Sequence, residues 1–194
     1  MNTPTHLLIS SVILARPGDE RGGKRWNMAV IAGALVPDAA IFVMFLWTRL
    51  IEGASELEVW STVYWSEPWQ SLVAIGNSLP IYAALLGLAV VSRRPVVVAF
   101  AVSALLHLAF DFPFHHDDAH PHFWPFSDWR FISPVSYWDP EYFGTLVSLA
   151  EATAALALIA VLWRRFSGRL VRAALLMAGV SYIAVPLYFN LMLG

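Results

Sequence analysis

Five of the six histidines in this 194-residue chain fall between positions 107 and 122. The stretch reads HLAFDFPFHHDDAHPHFWPF, residues 107–126, and carries three aspartates, Asp111, Asp117 and Asp118. Imidazole and carboxylate groups ligate divalent ions, and imidazole also moves protons near neutral pH. The chain has no cysteine, which excludes disulfides, thiolate zinc sites and Cys nucleophiles. Any metal must then be held by His and carboxylates. His107 and Asp111 are four residues apart, so on a helix they share one face and can grip one ion. His115, His116, Asp117, Asp118, His120 and His122 follow directly. Three uses are open to them: completing a metal shell, touching a substrate, or binding a second ion. The plain alternative is a solvated polar loop.

The elements that must position these groups are membrane helices. The chain is 58% hydrophobic and 13% charged, with a mean hydropathy of +0.61. A soluble domain is nearer to about half apolar and about a quarter charged. A net charge of -2 gives a nucleic-acid partner no electrostatic support. Apolar runs near 27–49, 70–92, 95–112, 145–163 and 169–193 approach or reach the roughly 20 residues that a spanning helix needs. The expected fold is all-α: one polytopic membrane bundle over 1–194, with about five transmembrane helices and an N-terminal half-helix over about 4–15. The N-terminal run does not read as a signal peptide, because Arg16, Arg21, Lys24 and Arg25 follow its apolar part instead of preceding it.

Basic residues set the orientation. Arg16 to Arg25, Arg93 with Arg94, and Arg164, Arg165 with Arg169 all fall on one side if five spans cross. That side is cytoplasmic by the positive-inside rule. Residues 50–69 and a His/Asp/Trp-rich loop, 113–144, then face outward, into the periplasm if the membrane is a bacterial inner membrane. Trp47, Trp60, Trp65, Trp69, Trp124, Trp129 and Trp138 gather at that outer side. An interfacial belt accounts for most of them, and some can line a pocket for an amphiphile.

Ionisable residues inside spans are costly and point to function. Counted from the cytoplasmic ends at about 1.5 Å per residue, Asp38 lies roughly 17 Å deep, His107 and Glu151 roughly 18 Å, and His6 roughly 14 Å. Asp111 and Asn77 lie one turn further out, at roughly 22–24 Å, with Ser78 beside Asn77. Four segments thus offer imidazole or acidic groups at nearly one level. Pro37, preceding Asp38 in GALVPDAAIF, removes a backbone hydrogen bond and kinks its span. Such irregularity is tolerated at membrane depth where it lines a protein-buried or watery cavity. Pro80 and Pro113 stand in comparable places.

The motifs THLLIS, GALVPDAAIF and HLAFDF, in that order before a His-rich loop, resemble the membrane-bound metal-dependent hydrolase family, the YdjM-type inner-membrane hydrolases. The order is also similar to that of soluble zinc-dependent phospholipase C. The resemblance covers residues 3–125 in outline and some two dozen positions in particular. It implies that His6, Asp38, His107 and Asp111 are metal ligands on a helical scaffold with hydrolytic chemistry. The family's usual His-Arg-Gly-x-Thr-His-Ser stretch corresponds here to SLVAIGNSLPIY. That segment keeps Asn77 and Ser78 and lacks both histidines.

Together these readings lead to an expected membrane-embedded hydrolase acting on a phosphoester or lipid-like substrate. It would use one or two divalent ions, zinc first, held by His6, Asp38, His107 and Asp111. Glu151, His115 and His116 are the expected acid–base groups. Asn77, Ser78, Asp117, Asp118, His120 and His122 are further candidates. Membrane lipids and a small-molecule or lipid substrate are the expected partners. The alternatives are a divalent-metal binding or transport protein and a non-catalytic hydrolase homologue.

Overall fold

The computed structural model describes residues 1–18 and 21–193, and side chains within that range apart from 21, 22 and 185–193. Every regular element among them is helical. The first, α1 (Thr3–Leu14), starts with Pro4 in its first turn, where a missing N–H costs nothing. Next, α2 (Arg21–Leu35) runs to a 3-10 turn over Val36–Asp38. From there α3 (Ala39–Trp47) continues into a π-turn over Thr48–Glu52. Pro37 sits in the 3-10 turn, so the expected kink occurs at that residue, and it leaves Asp38 buried at the bend.

A short α4 (Glu56–Glu58) and a π-turn over Val59–Val63 lead to α5 (Glu67–Gly76) and α6 (Leu79–Val91). Between these two, Asn77 and Ser78 break what the sequence presents as one apolar run. Ser78 then caps the new helix by accepting from the Ile81 N–H at 3.2 Å. The next helix, α7 (Pro95–Asp111), ends beside Pro113. Residues 112–143 form an irregular segment with one 3-10 turn, Pro140–Tyr142. Finally α8 (Gly144–Arg165) and α9 (Arg169–Leu193) close the chain.

Among the described residues, three helical stretches are long and apolar enough to cross a membrane: Gly23–Glu52, Glu67–Val91 and Gly144–Arg165. Thr3–Leu14 and Pro95–Asp111 are apolar but shorter. The expected fifth span, 169–193, is the helix α9, of which the side chains of 185–193 lie outside the described residues, as does that of Arg21 in the N-terminal basic group. Large apolar side chains such as Leu88, Leu146, Leu149 and Leu176 are exposed on these helices, consistent with a membrane protein.

The centre of the bundle is α7 against α2. Small residues make the close approach: Ala29, Val30 and Ala34 face Ala99 and Ser103, all buried. Gly33 is required there, because a Cβ would strike the Phe100 carbonyl. Ser103 Oγ donates to Val30 O at 2.6 Å and ties the two helices. On the other side, Tyr82 of α6 packs with Ala104 and Leu108 of α7.

The half-helix α1 lies against α2, α7 and α8. Its C-terminal end meets the basic end of the bundle, where Arg165 donates to the Val12 carbonyl at 2.7 Å and also to that of Ala15. A cation at a helix C-terminus satisfies orphan carbonyls and the helix dipole together. Beside it, Arg16 stacks 3.6 Å over Trp26, and its backbone exchanges two hydrogen bonds with Asn27. The first turn of α1 is carried to mid-bundle, where Thr5 and His6 are buried.

Candidate metal centre

Three elements deliver the centre: the first turns of α1, the 3-10 turn of Val36–Asp38, and the last turn of α7. His6, His107 and Asp111 are each 1% exposed. Each offers one ligand atom within 4.8 Å of the others, a set that could hold a metal ion. His6 Nε2 lies 2.9 Å from Asp111 Oδ1, and His107 Nε2 lies 3.1 Å from Asp111 Oδ2. The two imidazoles stack, with ring centroids 3.7 Å apart. Asp38 joins from the 3-10 turn, its Oδ1 3.4 Å from His107 Nε2. A four-coordinate ion with bonds of about 2.0–2.1 Å holds its ligand atoms about 3.3 Å apart, the spacing these contacts straddle.

The tautomer of His107 sharpens the fit. Its Nδ1–H donates to the Ala34 carbonyl at 2.8 Å, because a carbonyl oxygen can only accept. In the neutral ring Nε2 is then a lone pair, buried without a hydrogen-bond partner and facing two carboxylates. Acceptors converging on acceptors need a cation or a proton between them. A backbone carbonyl that holds the other ring nitrogen in this way is the usual companion of a ligating His.

Asp111 is the hub. Besides the two histidines it takes the Met1 α-amino group at 2.5 Å and has His115 Nε2 at 3.3 Å. Thr3 Oγ1 donates to Asp38 Oδ2 at 2.5 Å. Glu151 reaches the same level but serves another purpose: its Oε1 accepts from Asn2 N at 2.8 Å and from Thr5 Oγ1 at 2.5 Å. Thr5 in turn contacts the Tyr182 hydroxyl. Asn2 is the N-cap residue of α1 and makes no side-chain cap of its own. Glu151 therefore anchors the positive end of the helix that carries His6, and among the described residues its hydrogen bonds go to Asn2 and Thr5, not to His6, His107 or Asp111.

The histidines beyond α7 divide. His115 borders the centre, with Nδ1 3.0 Å from Asp118 Oδ2. Burial alone would lower its pKa, but Asp111 and Asp118 outweigh it and hold the ring at about 9. His120, its ring 4.9 Å from that of His115, is pushed down to about 3 by burial, helped by the charge of His115. His116 faces elsewhere: Nδ1–H donates to Ser133 O at 2.6 Å, and the ring stacks 3.5 Å from Tyr142. His122 donates to Asn77 O at 3.0 Å, while its own carbonyl accepts from Leu79 N at 2.8 Å.

Asn77 and Ser78 also act as braces. Asn77 Nδ2 donates to Val73 O at 3.0 Å and to Pro37 O at 3.3 Å. Gly76 permits that approach, since a Cβ there would sit 2.7 Å from Pro37 O. Ser78 Oγ donates to Trp124 O at 2.6 Å. These three residues pin the loop and the Pro37 turn to the α5–α6 break.

A cavity of about 580 Å³ opens beside the centre, lined by Asp38, His115, Asp117, Asp118 and His120 and by the aromatic rings of Trp60, Tyr64, Trp65, Tyr137 and Trp138. Sequence reasoning missed Thr3, Thr5, Tyr64, Tyr137 and Tyr182. Thr3 stands three residues before His6, so the shared helix face was the one available signal. No family model, curated protein or solved structure matches the chain.

Proposed function

We propose that this chain is a membrane-embedded, metal-dependent hydrolase acting on a phosphoester or lipid-like substrate. One juxtaposition carries the reading: a buried His6–His107–Asp111 donor set with Asp38 at its side, beside a substrate-sized cavity that Asp38 and His115 border. Ligand cavities are typically about 300–1,000 Å³. His6, Asp38, His107 and Asp111 are the ligands in this reading, and zinc is the first choice for a His/carboxylate set without thiolates. A divalent ion bound there supplies Lewis acidity, acidifying water and polarising a substrate oxygen.

The protein's own part is positioning and proton transfer. The Ala34 carbonyl fixes the His107 ring. Glu151 and Thr3 hold α1 so that His6 meets Asp111. His115 borders both Asp111 and the cavity and is the group placed to donate a proton to a leaving group. It takes the acid–base role that the sequence also offered to Glu151 and His116. The basic end of the bundle, with Arg16 and Arg165, would lie in the cytoplasm of a bacterial cell, and the cavity would open at the outer face of the inner membrane.

Support for a metal transporter is weaker. Toward the basic end the helices close on apolar packing among the described residues, with Leu8, Ala155 and Leu162 on one side and Leu14, Ala29 and Ala99 on the other. One observation favours a non-catalytic homologue. Asn77 stands where the resembled family carries a histidine, and its amide nitrogen is committed to backbone carbonyls.

The test is purified protein assayed with a chromogenic phosphodiester and a short-chain phospholipid, with and without chelator. Hydrolysis that the chelator abolishes, and that Asp111→Asn lacks, is the expected result. Bound metal without turnover of either substrate would favour the non-catalytic reading. Metal uptake into proteoliposomes would favour transport.

A further inference from the structure

The cavity beside the centre has a chemical bias of its own. Trp60, Tyr64, Trp65, Tyr137 and Trp138 form its aromatic wall. Asp38, Asp117 and Asp118 supply carboxylates, and among the described residues no Lys or Arg borders it. The cations nearby are already engaged: the Met1 amine and the His115 ring lie against Asp111, and Arg130 Nη1 donates to Ala119 O at 2.6 Å. Aromatic faces attract ammonium groups through the ring quadrupole, and a carboxylate-lined concavity concentrates positive charge.

Two further observations point to a ligand. His120 is 2% exposed, borders the cavity and leaves its Nδ1 without a hydrogen-bond partner. Asp118 Oδ1 is likewise buried and unpaired. A buried polar atom without a partner is costly; an ammonium hydrogen would satisfy Asp118 Oδ1, and a polar ligand atom would satisfy the His120 ring nitrogen in either tautomer. The rim is amphipathic as well. Trp60, Trp65 and Trp138 are 41%, 46% and 50% exposed, as expected for indoles at the depth of lipid head groups. Exposed Phe42 extends the rim as an apolar surface.

We propose that this cavity binds the cationic ammonium head group of an amphiphile, with the ammonium between the carboxylates and the aromatic wall and the chain leaving past Phe42. The inference rests on the hydrolase reading only for the fate of the ligand, and the binding stands without turnover. Three probes in a neutral detergent test it by calorimetry: dodecylammonium, dodecyl phosphate and chain-free ethanolamine. Dodecylammonium binds the wild type at least about tenfold tighter than either of the others, from the combined ion-pair and cation–π terms. The double variant Asp117→Asn/Asp118→Asn loses about tenfold for dodecylammonium alone, and Trp60→Leu loses a smaller factor. Subtracting the variants removes partition into micelles. Equal or tighter binding of dodecyl phosphate overturns the proposal, as does equal binding of ethanolamine, which would make the ligand a soluble amine. Repeating the titration with Asp111→Asn separates the two readings. Dodecylammonium binding retained there without metal shows the head-group site independent of the metal centre. Loss of the cationic preference in a wild type that still carries metal sinks the head-group site alone.

Discussion

Asp111 and His116 are five residues apart and belong to different worlds. Asp111 ends α7 and gathers the Met1 amine, His6, His107 and His115 within 3.3 Å. His116 has the side chain more often associated with metal, yet it gives its Nδ1–H to Ser133 O and its face to Tyr142. The difference is one of scaffold. On α7 the backbone hydrogen bonds are satisfied internally, so side chains are free to meet other helices. In residues 112–143 the backbone has few ladder partners, and polar side chains are drawn into satisfying its carbonyls. Ser78 to Trp124, His116 to Ser133 and Ser133 Oγ to Pro113 O at 2.6 Å all do this work.

The largest effect that separates the two regions is expected at the hub. Asp111→Asn removes a buried charge facing four partners and leaves cationic or polar groups unpaired. Breaking such a buried set typically costs about 3–5 kcal/mol. Thermal unfolding in detergent should show the largest destabilisation here of any single change in either region. A shift no larger than that of an exposed loop variant would remove Asp111 from the centre of the account. The smaller effect belongs to the loop. Ser78→Ala deletes a single brace to Trp124 O and a helix cap, worth about 1–2 kcal/mol together. It should raise proteolytic cleavage within 112–143 while leaving metal content alone. Metal loss in that variant would mean that loop and centre are not separable.

The same contrast explains what the sequence revealed. A helix advances by a constant rise, so counting residues placed His6, Asp38, His107 and Glu151 at one level, and the four-residue spacing put His107 and Asp111 on one face. Those arguments concern distance along an axis. They say nothing of direction around it, which is why Glu151 shares the depth yet turns to Asn2 and Thr5. The kink at Pro37 was legible because proline removes a specific hydrogen bond. The break at Asn77–Ser78 was not, since apolar residues continue on both sides of it and hydropathy alone reads one span. In the loop no period constrains the side chains, so composition could not distinguish His115, beside the centre, from His116, turned away. The aromatic wall was legible in part: its tryptophans read as an interfacial belt of which some can line a pocket, and the sequence could not say which, because the same residues serve both descriptions.

The central claim is that the intramembrane set binds metal and the crowded loop histidines are secondary. Metal-to-protein stoichiometry by mass spectrometry, on purified wild type, His107→Ala and His116→Ala, tests it directly. The wild type and His116→Ala should carry the same divalent ion in the same ratio, and His107→Ala should lose it. Retention of metal in His107→Ala, with loss in His116→Ala, would contradict the account.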